Sequence, residues 1–444
     1  MTKPLLDETH DPSALSWVES ANAPDTDFPL ANLPFGVFRH DFEERPRVGI
    51  AIGDVVLDCL AAARDGYFNA VDPSVRGALQ SWSLNALMAL GRDDARAVRR
   101  VAHRLLSAGT PEGMRARAAA ADLVVSMDSI GMRVPAEIGD YTDFYASVHH
   151  ATNVGAMFRP DNPLLPNYKW MPIGYHGRAS SIVASGTPVR RPRGQVVASP
   201  DGPPTVAPTA RMDYELEVGA FVARGNRQGD AIPLARAEEH LFGLCLVNDW
   251  SARDLQQWEY QPLGPFLSKS FATTVSPWVV TLDALEPFRT PAFVRPASDP
   301  APLPYLTDAA DRSGGGFGIT LEVWLRTAAM RAAGKPAERL SRGDFSGMYW
   351  TMAQMLAHHA SAGCNLQPGD LIASGTVSGA DAASRGCLLE LAMRGQTPAT
   401  LSTGESRAFL HDGDEITLRG WCEREGFRRI GFGECMGEVT PALA

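Results

Sequence analysis

Apolar and polar positions change their period along this chain. Residues 46–60, RPRVGIAIGDVVLDC, read as two short apolar strands turning at Gly53 and Asp54, a hairpin that starts a small β unit. The period then lengthens. In DDARAVRRVAHRLLSAG (93–109), Val98, Val101, Leu105 and Leu106 form one stripe with arginines opposite, which predicts an amphipathic helix, and an alanine-rich segment continues to about 122. From about 125 onward the texture is short β-branched runs broken by Pro and Gly: SSIVASGTPVRRPRGQ (180–195), YELEVGAFVARGN (214–226) and LFGLCLVND (241–249). The expectation is two domains, residues 1–120 and residues 121–444, the second rich in strands. SGGGFG (313–318) lacks the Gly-Lys-Ser/Thr ending of a phosphate loop and reads as a mobile turn or loop.

The pattern also places candidate chemistry. If YELEVGAFV is a strand, Glu215 and Glu217 project from one face, where two close carboxylates need protons or a hard cation; a solvated strand face is the alternative. LFGLCLVND delivers Asp249 to a strand end just before SARDLQQWEY, which reads as a helix with Ser251 and Asp254 as capping box. On it Arg253, Gln256 and Tyr260 share one face, either a set of hydrogen-bond donors or a stripe that meets water, while Leu255 and Trp258 anchor another side to the core. Lys269 lies in an apolar, Pro-bounded segment, so its ammonium either reaches solvent or supports a carboxylate site. His149 and His150 read as neighbours on a strand, of which one at most faces a given pocket. His358 and His359 lie in a helix-like run without a His-Glu-x-x-His arrangement and read as structural.

Composition narrows the classes. An apolar fraction of 45% and a charged fraction of 21% belong to an ordinary soluble chain, and the formal charge of −10 lacks the basic footprint of a nucleic-acid binder. The six cysteines lie far apart, without zinc-ribbon pairs or disulfide-scaffold density, and read as reduced, mostly buried thiols. The polar, acidic N-terminus has no signal-peptide pattern and no apolar run approaches a membrane span, so a cytoplasmic protein is expected.

The motifs DYTDFY (140–145), HATNVG (150–155), GYHGRASS (174–181), ELE (215–217), NDWSARDLQQWEYQPLGPFLSKSFATTVSPWVV (248–280) and GDLIASGTVSG (369–379) together resemble the fumarylacetoacetate hydrolase family, from NLPFGVF (32–38) through RIGFGECMGEVTPA (429–442). The resemblance implies a mainly β (α+β) protein: an N-terminal SH3-like barrel with trailing helices, then a mixed β-sandwich or β-roll, assembled as a homodimer. It implies hydrolysis of a diketo acid, 4-fumarylacetoacetate, to fumarate and acetoacetate. It assigns the ligands of Mg²⁺ or Ca²⁺ to Asp143, Glu215, Glu217 and Asp249, with Lys269 and Thr273 closing the cation's surroundings. His150 matches the general base, Glu390 the acid that orients it, and Arg253, Gln256 and Lys269 the donors to a developing oxyanion. Tyr145, Arg159, Gln256, Tyr260 and Thr376 match substrate contacts, and Tyr175 is expected in the same cavity. Val148 and His149 depart from the more polar pair expected before the base. The competing readings are an acylpyruvate hydrolase, a related decarboxylase or isomerase, and a non-catalytic metal-stabilised binding protein.

Overall fold

The structure is a computed structural model of the 444-residue chain and describes residues 6–40, 45–197, 199 and 202–443. The hairpin predicted near residue 53 is present: Arg47–Ile52 pairs antiparallel with Val55–Asp58, and Gly53, at φ +56°, makes the turn that a side chain would strain. Around it stands a five-stranded antiparallel sheet, the small β unit that the family resemblance implies. Its two outer strands are Val124–Ser126 and Ile130–Met132, so the boundary expected at 120 falls short of the unit's own sheet. Three-residue strands are too short to show a period of two, and the helices are inserted before these strands rather than trailing the sheet.

The long helix, Arg92–Leu106, buries Val98, Val101, Leu105 and Leu106 as its stripe predicts. Arg99 departs from the polar face. It is buried, and its two terminal nitrogens donate to the carbonyls of Ala31 and Asn32 at 2.7 and 2.9 Å rather than to a carboxylate.

The larger unit contains an eight-stranded mixed sheet that runs Gly174–His176, Tyr141–Phe144, Leu371–Ala373, Leu216–Val222, Leu241–Asp249, Thr273–Val275 and Ile182–Ala184, with Val280–Thr281 also on Leu241–Asp249. A five-stranded sheet built around Thr320–Arg326, Glu415–Cys422 and Ile430–Thr440 lies against it. Leu216, Val218, Ala220, Leu244 and Leu246 point into the core between these elements. The opposite face, with Phe221, Cys245, Val247, Val275 and Leu371, packs against the N-terminal unit in one continuous apolar cluster. The two units therefore share a core. SGGGFG is not a loop: a helix ends at Gly314 and Gly316–Phe317 pairs with Arg289–Thr290.

Candidate active site

The central sheet brings the acidic residues together. Glu217 pairs with Val247 across Leu216–Val222 and Leu241–Asp249, so Glu215, Glu217 and Asp249 share a face. Asp143 arrives from the parallel side, opposite Ala373, and Thr273 lies opposite Asp249. One carboxylate oxygen from each of Asp143, Glu215, Glu217 and Asp249 lies within 4.8 Å of the others, and all four residues are buried. The solvated strand face is excluded for Glu215 and Glu217.

Cations enter from the next segment. The Lys269 ammonium donates to Glu215 and, at 2.7 Å, to Asp249, which decides between its two sequence readings in favour of carboxylate support. Arg253 reaches Glu215 at 2.8 Å. Thr273 and Tyr175 donate their hydroxyls to the two oxygens of Asp249 at 2.8 and 2.5 Å, so both hold this carboxylate in place. With all four carboxylates ionised, Lys269 and Arg253 would leave two negative charges uncompensated, and Arg253 is shared with Asp213. Asp143 Oδ1 and both oxygens of Glu217 are buried without a hydrogen-bond partner among the described residues. Burial and then the neighbouring acids push the Glu217 and Asp143 carboxyls well above the usual range. Burial also opposes charge on Glu215, but Lys269 and Arg253 outweigh it and hold that carboxyl low. Orphaned oxygens and excess negative charge are what an all-oxygen site for a hard divalent cation requires.

The histidines sit on a helix, Val148–Phe158, and not on a strand. Ser147 caps it by accepting the His150 amide at 3.1 Å, and one helical step then turns His150 inward while His149 stays half-buried. His150 Nδ1 meets Glu390 Oε2 at 2.6 Å; Asn153 and Ser378 donate to the same carboxylate at 2.8 and 2.7 Å. Burial would raise the Glu390 carboxyl, yet His150 and these bonds hold it at about 2. Nδ1 is committed to the carboxylate, which leaves Nε2 as the proton acceptor. The Tyr145 ring stands edge-on to His150, centroids 5.2 Å apart.

Both halves face one cavity of about 640 Å³, lined by Asp143, Tyr145, His150, Glu215, Arg253 and Lys269 among others. Arg159, Tyr175, Gln256, Tyr260 and Thr376 line it as well. Arg253, Gln256 and Tyr260 thus use their shared face for the cavity, and Arg253 donates to Gln256 at 3.1 Å. The capping box does not form: Ala252 precedes the helix Arg253–Glu259, and Asp254 instead accepts from Thr209 and the Ala210 amide. Leu255 is buried, whereas Trp258 is about half exposed and donates to Gln195, so it is no core anchor. His358 and His359 bond to Tyr305 and Thr142, outside the cavity.

Sequence reasoning missed Asn153, Asp213, Ser378, Arg211 and Arg394. Asn153 was legible, since i+3 from His150 on a helix means the same face. Ser378 and Asp213 carry no local signal. Arg211 and Arg394 line the cavity, the latter from consecutive residues at positive φ, Met393 at 47° and Arg394 at 58°.

Comparison with known families and proteins matches residues 31–135 to the family described as Fumarylacetoacetase N-terminal and residues 140–440 to Fumarylacetoacetate (FAA) hydrolase C-terminal. A fumarylacetoacetase of Rattus norvegicus is 48% identical over 423 residues, 95% of this chain and 98% of that protein. The Homo sapiens fumarylacetoacetase is 47% identical over 422 residues, with the same coverage. The Arabidopsis thaliana fumarylacetoacetase is 46% identical over 424 residues, 94% of this chain and 97% of that protein.

Proposed function

Because the chain belongs to the fumarylacetoacetate hydrolase family, we propose that it hydrolyses a carbon–carbon bond of 4-fumarylacetoacetate, releasing fumarate and acetoacetate as the last step of tyrosine and phenylalanine breakdown. One observation carries the reading: a carboxylate-oriented histidine and a buried, charge-excess acidic cluster open onto the same cavity.

Asp143, Glu215, Glu217 and Asp249 would hold the divalent ion, Mg²⁺ or Ca²⁺, with Lys269 and Thr273 orienting Asp249. When bound, such an ion supplies Lewis-acid polarisation of the diketone oxygens. His150 Nε2 takes a proton from water as the water oxygen bonds to the fumaryl carbonyl carbon, and Glu390 steadies the imidazolium that results. Lys269, Arg253 and Gln256 donate to the oxygen that becomes anionic. Gln256 accepts from Arg253 through Oε1, so its amide N–H groups are the ones left to donate. As the carbonyl re-forms, the carbon–carbon bond breaks and the departing acetoacetate carbon takes the proton held by His150. Arg159 offers a guanidinium to a substrate carboxylate, with Tyr145, Tyr260 and Thr376 lining the same cavity.

Two further features belong to the proposal. Leu263, which lines the cavity, and Phe266 and Leu267 just after it in sequence are exposed and supply apolar surface that a second copy would cover in a homodimer. All six cysteines are free thiols, five of them buried, which suits the reducing cytoplasm. No helix among the described residues is long and apolar enough to cross a membrane.

Incubation with fumarylacetoacetate, followed by product analysis, tests the reading. Fumarate and acetoacetate in equal amounts are expected, with turnover lost after dialysis against a chelator and restored by Mg²⁺. A decarboxylated or isomerised product would replace this reaction by another.

A further inference from the structure

We infer that Asp213 is a positioning residue, one carboxylate that locks the oxyanion-side arginine and the base-orienting glutamate into a common frame; the inference rests on the hydrolase reading above. Asp213 is fully buried and does not line the cavity. It lies in the two-residue strand Met212–Asp213, paired with Ser251–Ala252 just before the helix of Arg253. Its Oδ2 accepts from Arg253 Nε at 2.9 Å and from the Leu389 amide at 3.0 Å. Its Oδ1 accepts from the Leu388 amide at 2.8 Å and from its neighbour Tyr214 at 2.9 Å.

These partners lead to the two halves of the site. Leu388 and Leu389 open the short helix Leu388–Leu391, which carries Glu390 and hence the bond to His150. Arg253 is held at Nε by Asp213 and at Nη1 by Glu215 and Gln256, while Nη2 has no partner among the described residues. One nitrogen is thus left for an oxyanion, at an angle set by the other two. A misplacement of about 1 Å in such a donor or base costs roughly 100-fold in rate.

A carboxylate is required because four N–H groups converge on it, and a carboxylate offers only acceptors. An asparagine would turn its own N–H₂ toward one pair of donors. In one orientation Arg253 and the Leu389 amide lose their acceptor, in the other the Leu388 and Tyr214 amides do, so the start of the Glu390 helix loses a bond either way.

The test uses the full-length protein loaded with Mg²⁺ and the variant Asp213→Asn. On fumarylacetoacetate the variant is expected to lose about 100-fold in kcat, with KM changed less than about threefold and metal content as in the wild type. In an Arg253→Lys background the same change should cost about tenfold or less, because part of its effect runs through the arginine. The proton resonance of His150 Nδ1–H should shift in the variant, a signature that needs no substrate. Asp213→Glu, which keeps the charge one methylene out of place, serves if the asparagine variant does not fold. A wild-type kcat, or a loss matched by the fraction of unfolded protein, overturns the inference. If the wild type does not cleave fumarylacetoacetate, the functional reading fails, and an unmoved His150 resonance in the variant then overturns the positioning role as well.

Discussion

His150 meets Glu390 at 2.6 Å, and Glu390 takes further bonds from Asn153 and Ser378. This carboxylate is satisfied only when ionised, which gives two predictions. His150→Ala should lower kcat by about 1,000-fold while bound metal, measured by elemental analysis, stays at the wild-type level, because the ring is bonded to Glu390 and is not one of the four clustered acids. The second concerns pH. Burial raises the Glu390 carboxyl, but His150 and the hydrogen bonds pull it from 4.5 to about 2 in the folded protein. A carboxyl depressed in this way adds stability that is fully present above its unfolded value and lost as pH falls through the folded one. The difference in unfolding free energy between wild type and Glu390→Gln, followed by urea denaturation, should hold steady above pH ~5 and shrink toward pH ~2. A gap that widens on acidification would contradict the assignment. Glu390 has no sequence signal apart from the family motif. Cys387 lies three residues before it, but its other bond partners lie 12, 237 and 240 residues away, beyond any local periodicity.

At the scale of elements, Leu216–Val222 does two things. Its odd and even positions serve different faces, so Leu216, Val218 and Ala220 fill one core while Glu215 and Glu217 meet the other acids. Gly219 lies on the acid face, where a Cβ would come 2.6 Å from Val247 Cγ2 and 3.2 Å from Cys245 Sγ. Gly219→Ala should therefore destabilise the protein by about 1–3 kcal/mol through overpacking and lower its Tm in a thermal melt. An unchanged Tm would mean that the sheet yields at no cost. Alternation made this strand readable. The Val148–Phe158 helix was harder, since Asp143, Phe144 and Tyr145 just upstream belong to a strand and its edge, and only the Ser147 cap marks the change. Likewise Ser251 and Asp254 have capping-box spacing, but Asp254 is drawn to Thr209 and Ala210 from a distant turn.

For the whole molecule, the important contact is between its units. Phe35 exchanges two backbone hydrogen bonds with Val279, 3.0 and 2.7 Å, and its ring lies 5.8 Å from that of Phe242. Beside them Arg92 and Arg96 of the N-terminal unit share the buried carboxylate of Asp283 at 3.2 and 2.7 Å, and Arg92 also reaches Glu286 at 2.7 Å. The Asp283→Asn change leaves two partly buried guanidinium groups short of charge and should cost about 2 kcal/mol, read from denaturant midpoints. Calorimetry should nevertheless show one transition in both proteins, because the units share their apolar cluster; two separated transitions would mean independent folding. The expected boundary at residue 120 came from the end of a helical pattern, whereas packing continues across it.

By itself the sequence determined what repeats locally: the hairpin at Gly53, the buried stripe of Arg92–Leu106, the common face of Glu215 and Glu217, the strand end at Asp249, and the helix face of Arg253, Gln256 and Tyr260. Each follows from a backbone period of two or 3.6 residues. Tertiary structure alone decided that Asp143 joins those acids, that Lys269 turns inward to them, that Glu390 reaches His150, and that Asp213 spans both groups. Pairing between distant strands and the desolvation of charge inside a shared core set those contacts, and neither is encoded in the spacing of neighbouring residues.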